Sequence, residues 1–360
     1  MHGKANAFII HQTDPFNGGP DPRVLAREAI TPADLFYVRG HAPVPQIPPE
    51  DCTVVVDGLV SHPLTLRLSD LQRGFPVKTS EVTLQCAGNR RTELHNVKPM
   101  QPNALLWMTE AISNATWTGV SLSDILMRVG VQDEASHVAF LGADRGASPN
   151  GDGFGGSIPL SKAQGKDVLL AWAMNGEPLQ PIHGGPLRVV VPGYYAARSV
   201  KWLNRITVQD GPSDNHFQSH DYKVFPPDVT EDNVEWEAGE MLGEQRTHAA
   251  LLSPVDGDAV DVGKVTLEGY AMAGGDSMIN GVEISLDGGE SWRAADLTTE
   301  PRQWIWTLWR AEVELPAGEH TIIVRANDNA GSTQPPAVED LWNFRGYQNF
   351  AWHRVAISAS

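Results

Sequence analysis

Short apolar runs separated by turn residues recur along most of the 360-residue chain, and they restrict it to a strand-rich fold. Asn175-Gly176 is a dipeptide typical of tight hairpin turns, and Pro192-Gly193 ends another run. The pattern predicts strands over residues 53–56, 64–68, 82–85, 168–174, 187–191 and 199–208. A chain of this length exceeds what one hydrophobic core usually serves, so we expect two domains.

One amphipathic helix interrupts the strand pattern. Ser121 can cap its first turn, because a serine hydroxyl accepts hydrogen bonds from the free amides there. Ile125, Leu126 and Val129 recur on one face, and Gly130 ends the helix. Many strands with few helices predict a mixed α+β fold for the first two thirds of the chain.

The pattern changes in the last third of the chain. Residues 228–251 are acidic and irregular after the turn-prone Pro226-Pro227, which indicates a connector. Beyond them, runs between turn signals predict strands over residues 265–271, 281–286, 304–315 and 320–326. Short antiparallel strands at this spacing favour an immunoglobulin-like β-sandwich. We therefore predict an α+β domain over residues 1–240 and a sandwich over residues 245–360.

Acidic residues outnumber basic residues by 44 to 27, and the formal net charge of −17 limits the possible partners. A strongly negative chain is a poor partner for nucleic acid or an anionic membrane surface. No run of about 18 apolar residues is present, and the N-terminus lacks the layout of a signal peptide. We therefore expect a cytoplasmic protein, or a periplasmic one if a leader peptide has been removed.

Two motifs resemble ligand sites but lack the required context. Residues 151–156 fit the pattern G-x-G-x-x-G, yet a polar run precedes them instead of a strand, so we interpret them as a loop. His216 and His220 have the i, i+4 spacing of a metal pair, but no third ligand is evident in the sequence. We interpret them as two surface histidines.

The surroundings of Cys86 set it apart from Cys52, the other of the two cysteines. Cys86 shares one face of a predicted strand with Val82 and Leu84, so its sulfur should point into the interior where the strand ends. Arginines at positions 90 and 91 follow, and nearby positive charge favours the thiolate that soft metals bind. The alternatives are an inert buried cysteine and surface-paired arginines.

The segment of residues 83–91, Thr-Leu-Gln-Cys-Ala-Gly-Asn-Arg-Arg, resembles the molybdenum-binding loop of sulfite oxidases, including the haem-free plant type. The resemblance continues, in the order of the family, at residues 36–41, 169–176, 183–193, 197–203, 221–223, 285–289 and 342–346. These segments lie in both predicted domains. The resemblance therefore implies a molybdopterin-binding catalytic domain followed by a dimerisation domain, and hence a homodimer.

The resemblance also implies a role for individual residues. Cys86 would donate a thiolate to the metal of a molybdenum–molybdopterin cofactor, and Tyr222 would donate a hydrogen bond near it. The pocket for the substrate anion would comprise Arg39, Arg91, Trp107 and Arg345. Pterin and phosphate would be bound by Tyr37, Val38, Arg39, Gly40, His41, Asp144, His183, Arg188, Ser199, Val200 and Lys201.

The function that the resemblance implies is oxidation of sulfite to sulfate, without haem, with electrons passing to oxygen or to a separate carrier protein. The sequence departs from the family at Gly40, Gly185 and residues 194–196, which lie beside the expected cofactor or pocket. A related enzyme acting on nitrate, a sulfane sulfur or a sulfoxide remains an alternative. A non-enzymatic β-rich binding protein is another, because a sandwich fold alone does not specify an activity.

Overall fold

The computed structural model describes residues 2–360. In chain order the first strands are β1 (Phe8–Thr13), β2 (Phe16–Pro20), β3 (Thr53–Gly58), β4 (Leu64–Arg67), β5 (Val77–Gln85), β6 (Ile112–Ser121), β7 (His137–Gly142), β8 (Gly155–Pro159), β9 (Leu169–Met174), β10 (Glu177–Pro178), β11 (Arg188–Val190), β12 (Leu203–Gln209), β13 (Lys223–Val224) and β14 (Glu240–Met241). The α-helices between them are α1 (Pro22–Leu25), α2 (Leu68–Gly74), α3 (Arg91–Val97), α4 (Leu122–Val129) and α5 (Leu160–Ala163).

Two five-stranded sheets organise this first part of the chain. One has the order β10-β9-β6-β5, with β11 also paired to β9. The other has the order β4-β3-β12-β7-β8, in which only the β3–β12 pair is parallel. Residues of both sheets and of α2 and α4 form one buried cluster that includes Val54, Leu71, Leu126, Val189 and Ile206. The prediction of a mixed α+β fold is confirmed.

Helix α4 forms where the amphipathic pattern predicted it. Ile125, Leu126 and Val129 are buried, and the helix ends at Gly130, which has a φ of 67°. Positive φ carries little cost for glycine, which explains the stop. The predicted serine cap is wrong in its chemistry: Ser121 occupies the N-cap position, but its hydroxyl bonds to Ser123 Oγ and the Lys166 carbonyl oxygen.

The last part of the chain folds into two facing sheets. Its strands are β15 (His248–Ser253), β16 (Ala259–Val260), β17 (Gly263–Met272), β18 (Ile279–Ser285), β19 (Arg293–Ala294), β20 (Asp296–Leu297), β21 (Thr307–Leu315), β22 (Gly318–Asp328) and β23 (His353–Ala359). The sheet orders are β15-β17-β21-β20 and β16-β23-β22-β18-β19. Leu267 and Trp309 from one sheet share a core with Ile284, Val324 and Val355 from the other, which confirms the predicted sandwich.

Several predicted boundaries differ from the structure, among them that of β5, which begins at Val77 instead of residue 82, and three others have a local reason. The strand expected from residue 199 begins at Leu203, and the one expected from residue 304 begins at Thr307. Trp202 and Trp304 have φ values of 51° and 64°, which interrupt the extended backbone just before each strand. The expected connector ends earlier, because residues 248–251 belong to β15; this strand is buried on both faces and therefore lacks alternation.

Single helical turns join several of these elements, at Pro49–Asp51, Pro181–His183, Ala196–Arg198, Phe217–Asp221, Trp236–Ala238 and Glu339–Leu341. The turn at Phe217–Asp221 is π-helical, and the other five are 3-10 turns. Between residues 2 and 360, none of the helices is both long and apolar enough to cross a membrane.

We expect Ile125→Ala to lower the free energy of unfolding by about 2–5 kcal/mol, because it leaves a cavity in a core that α4 shares with both sheets. The matched control is Met127→Ala on the same helix, where the side chain is 70% exposed; we expect a change below about 0.5 kcal/mol. Denaturant unfolding of the two variants measures the difference. Equal destabilisation would contradict the assigned burial of this helix.

Candidate active site

A cavity opens where strand β5 ends and the β11–β12 connection passes beside it. Loops from four other parts of the chain complete the walls: residues 36–41, 144–154, 182–183 and 222. Of the residues singled out in the sequence, the cavity is lined by Tyr37, Val38, Arg39, Gly40, His41, Cys86, Asp144, His183, Arg188, Ser199, Lys201 and Tyr222. Val200 packs instead into the core of the first domain.

Cys86 follows directly on the last residue of β5 and lies in the wall of this cavity. It is 6% exposed and shares a buried cluster with Val82 and Leu84, as the strand alternation predicted. Its amide donates to the Ala111 carbonyl oxygen at 2.8 Å, which anchors the end of the strand. The Gly88 amide lies 3.4 Å from Sγ and donates to it. This sulfur is therefore held at the cavity surface by backbone contacts on both sides.

Three cationic side chains lie in the cavity walls with one carboxylate. Arg188 donates to the His183 and Ser199 carbonyl oxygens at 2.8 and 2.9 Å. Lys201 Nζ donates to the Arg39 carbonyl oxygen at 2.9 Å, and Asp144 accepts from the Phe154 amide at 2.9 Å. The Arg39 guanidinium donates to the Asn17 side-chain oxygen and the Gly40 carbonyl oxygen, so all three cations are positioned mainly by neutral oxygens, and their charge exceeds that of Asp144. Such a surface favours an anionic ligand.

Burial changes the ionisation of these groups. Desolvation, with the neighbouring Arg188 charge, lowers the pKa of Lys201 to about 7, and desolvation lowers the pKa of Arg188 to about 10. Desolvation also holds the pKa values of His41 and His183 well below the usual range, so both imidazoles are neutral at pH 7. A bound anion would stabilise the charged form of Lys201 and raise its pKa.

Tyr222 joins the cavity to aromatic side chains behind it. Its hydroxyl lies 2.8 Å from His41 Nε2, and burial raises its pKa, so the phenol stays protonated. Its ring stacks on the Tyr347 ring with centroids 5.1 Å apart. The Arg91 guanidinium lies 5.1 Å from the centroid of the Tyr347 ring. Phe154 stacks on His41 at 4.8 Å. Tyr347 and Phe154 are functional candidates that sequence patterns did not single out, since Phe154 lies in the glycine-rich segment interpreted as a loop and Tyr347 carries no motif.

Arg91, Trp107 and Arg345 do not line the cavity. Arg91 donates to the Gly346 and Leu105 carbonyl oxygens at 2.9 and 3.0 Å. The Arg345 guanidinium lies 3.2 Å from the Asp221 carboxylate and donates to the Asp221 carbonyl oxygen at 3.1 Å. Trp107 is fully buried, and its indole nitrogen has no hydrogen-bond partner. These three residues therefore lie outside the cavity lining. Arg91 is nevertheless close to it, because it contacts Tyr347, which stacks on the lining residue Tyr222.

The second domain contacts the loop that follows Cys86. The Gln348 amide donates to the Ala87 carbonyl oxygen at 2.9 Å, and Asn349 donates to the Arg90 carbonyl oxygen at 3.0 Å. Arg90 Nη1 donates to the Ala351 carbonyl oxygen at 2.9 Å. Residues 345–351 therefore close over this loop, and both domains contribute to the geometry around Cys86.

Two family models match this chain in succession. The model described as the oxidoreductase molybdopterin-binding domain matches residues 41–217. The model described as the Mo-co oxidoreductase dimerisation domain matches residues 240–360. The first match contains most of the cavity walls, and the second contains the sandwich.

Whole-chain comparisons give relatives of the same kind. The chain is 42% identical to the mitochondrial sulfite oxidase of Homo sapiens and 40% identical to the sulfite oxidase of Arabidopsis thaliana, over 98% and 97% of its length. It spans 93% of the plant protein but only 66% of the human one. The sulfane dehydrogenase SoxCD of Paracoccus pantotrophus superposes with a TM-score of 0.81 at 26% identity, over 95% of this chain and 84% of that one.

We expect Lys201→Met to stabilise the ligand-free protein most below about pH 7, where the buried lysine is charged in the fold. In the unfolded chain the pKa of this lysine is about 10.5, so between pH 7 and 10.5 only the unfolded chain holds the proton. The stability of the wild type therefore rises with pH over this range, and the advantage of the variant becomes smaller. The stability advantage of Lys201→Met should therefore decrease by about 2–3 kcal/mol between pH 6 and pH 9, as measured by denaturant unfolding at each pH.

The control for this variant is Lys166→Met, in which the replaced side chain is exposed. Its effect on unfolding should be the same at both pH values. An advantage of Lys201→Met that is constant or grows with pH would contradict the pKa assigned to Lys201.

Proposed function

This chain belongs to the sulfite oxidase family of molybdopterin-binding oxidoreductases, and from that membership we propose that it oxidises sulfite to sulfate. The observation that carries the proposal is the placement of Cys86 in a cavity wall together with Arg39, Arg188 and Lys201. A thiolate is a ligand for soft metals, and the cations suit a ligand that bears a phosphate group. The two requirements of the cofactor thus meet in one cavity.

The cavity fits a molybdenum–molybdopterin cofactor in the chemistry of its lining. Its cations are held by neutral carbonyl oxygens, so their charges remain available to an anion. The sulfur of Cys86 has one backbone donor, the Gly88 amide, and a metal ligand at this position requires no rearrangement of side-chain pairs.

We assign the other lining residues to the organic part of the cofactor. Arg188 and Lys201 would bind its phosphate, with Arg39 beside them. Asp144 and the neutral imidazole of His183 would form hydrogen bonds with the pterin. Val200 would contact the cofactor through its backbone. The complete proposed set is Tyr37, Val38, Arg39, Gly40, His41, Asp144, His183, Arg188, Ser199, Val200 and Lys201.

When bound, the molybdenum centre would supply oxygen-atom transfer and accept two electrons. The protein supplies orientation and hydrogen bonds. With the proton of neutral His41 on Nε2, the imidazole would donate to the Tyr222 oxygen at 2.8 Å, and the phenol, which stays protonated, would keep its own proton for a ligand in the cavity. It would orient an oxyanion beside Cys86.

Sulfite is an oxyanion, and we propose that its pocket is formed by Arg39, which lines the cavity, together with Arg91, Trp107 and Arg345, which lie outside the lining. Arginine suits this role because its planar fork binds oxyanions with two parallel hydrogen bonds. The stack from Arg91 through Tyr347 to Tyr222 supports the assignment, since it links a guanidinium to the cavity wall. In a chain with a net charge of −17, this local positive charge would attract sulfite to one place.

We further propose that the protein is a homodimer and that these 360 residues bind no haem. The matched dimerisation domain supports the first statement. Without a haem in this chain, electrons would pass from the molybdenum centre to oxygen or to a separate carrier protein.

Oxidation of a sulfane sulfur is the second candidate, and the structural similarity to SoxCD supports it. The identity to that protein is 26%, against 40% to the plant sulfite oxidase over nearly the whole chain. We therefore rank sulfite first. Turnover of a sulfane substrate without turnover of sulfite would reverse the order.

We expect the purified protein to contain near-stoichiometric molybdenum and to reduce ferricyanide when sulfite is added. Cys86→Ser should abolish this activity, because it removes the thiolate ligand of the metal. Elemental analysis and the ferricyanide assay on the same sample measure both.

The matched control is Cys52→Ser, because that cysteine is also buried but lies in the hydrophobic core, where desolvation raises its thiol pKa to about 11. Per folded molecule, this variant should keep its activity. Full activity of Cys86→Ser would refute the ligand assignment, and a protein without molybdenum from a host that makes the cofactor would refute the function.

We expect Arg345→Met to raise KM for sulfite about 10- to 100-fold, which corresponds to the loss of a charged hydrogen bond, with a smaller effect on kcat. Steady-state kinetics measure the split between the two constants. Arg354→Met is the control, because that side chain is exposed on β23 and should leave KM unchanged. An unaltered KM in Arg345→Met would remove this residue from the pocket.

A further inference from the structure

Three groups that can bind a metal meet at the π-helical turn Phe217–Asp221, two of them within the turn and one, His216, directly before it. The sequence spacing indicated only two surface histidines, His216 and His220, with no third ligand. The structure adds the carboxylate of Asp221, whose Oδ1 lies 3.3 Å from His216 Nε2 and 3.1 Å from His220 Nδ1. All three ligand atoms lie within 4.8 Å of one another.

We propose that His216, His220 and Asp221 form a binding site for Zn²⁺ or a divalent cation of similar ligand preference. Zinc takes imidazole nitrogen and carboxylate oxygen at about 2.0–2.1 Å in a tetrahedron, whose edges are then about 3.3 Å. The two measured nitrogen–oxygen distances match such an edge. A water molecule would take the fourth position, as in zinc sites with three protein ligands.

The rings of the site are already held in place. His220 stacks on Trp236 with centroids 3.4 Å apart and an interplanar angle of 20°, and His216 stacks on the other side of His220 at 4.8 Å. A column of three rings restricts the rotamers of both histidines, so less side-chain entropy is lost on metal binding. The three ligand side chains keep 25–37% of their surface, which leaves a path for the ion.

The metal would compete with Arg345 for the same oxygen. Arg345 Nη2 lies 3.2 Å from Asp221 Oδ1, the atom that both histidines approach. A divalent cation on this atom would repel the guanidinium and weaken its pair with Asp221. Zinc binding and the Asp221–Arg345 ion pair are therefore expected to oppose each other. If Arg345 binds sulfite, a step that rests on the proposed function, zinc would change the affinity for the substrate.

Equilibrium dialysis of the full-length protein against Zn²⁺, read by elemental analysis, tests the site. We expect about one equivalent of zinc at micromolar free Zn²⁺ and its loss in His216→Ala and in His220→Ala. His62→Ala, in which an exposed loop histidine is replaced, should retain the metal. The same measurement in a Cys86→Ser background separates this site from zinc held by the cavity thiol.

Replacing Arg345 tests the competition. Arg345→Met should tighten zinc binding about tenfold, within the range usual for coupled sites, because it removes a positive charge from the ligand oxygen. Unchanged or weaker binding in this variant would refute the competition. Absence of stoichiometric zinc in the wild type, or binding that persists in both histidine variants, would refute the site.

Molybdenum is read from the same samples, so the two proposals fail separately. Zinc without molybdenum supports the site and contradicts the proposed function. Molybdenum and sulfite turnover without zinc contradict only the site.

Discussion

The buried guanidinium of Arg90 connects the Cys86 loop to both domains. Arg90 is fully buried with a φ of 64°, a conformation that a non-glycine residue adopts only when its surroundings enforce it. Its Nε and Nη2 pair with the Glu93 carboxylate at 2.7 and 2.6 Å, while Nη1 reaches the Ala351 carbonyl oxygen. Removing either charge would leave the other uncompensated, at a cost of about 3–5 kcal/mol. The position of the Cys86 sulfur therefore depends on contacts made by the second domain.

The cavity concentrates positive charge in a protein that is negative overall. Burial alone works against this arrangement, as the lowered pKa of Lys201 and of Arg188 shows. The fold tolerates the charges because backbone carbonyl oxygens solvate them, as those of His183, Ser199 and Arg39 do here. This arrangement leaves the cations available to an anionic ligand, and it fits a family whose cofactor and substrate are both anionic.

Much of the fold and part of the site could be predicted from local patterns. Helix α4 and strand β5 could be predicted from side-chain periodicity, because periodicity identifies elements that have one buried and one exposed face. Strand β15 escaped detection because both of its faces are buried and no alternation remains. The residues that we propose for the cofactor followed from a resemblance over short segments, and most of them line one cavity. Tyr347 and Phe154 were missed because their importance arises from contacts with residues distant in the chain.

Residue types and neighbours along the chain are enough to predict its strand-rich character, its α+β and sandwich parts, and the chemistry available around Cys86. Which charged groups contact each other, in contrast, depends on the three-dimensional fold. It pairs Arg345 with Asp221, places Arg91 behind Tyr347, and closes residues 345–351 over the loop after Cys86. Its π-helical turn also gives His216 and His220 their carboxylate neighbour. Hydrogen bonds and ion pairs act over a few ångströms, so they depend on which segments the fold brings together, and a linear pattern does not specify that.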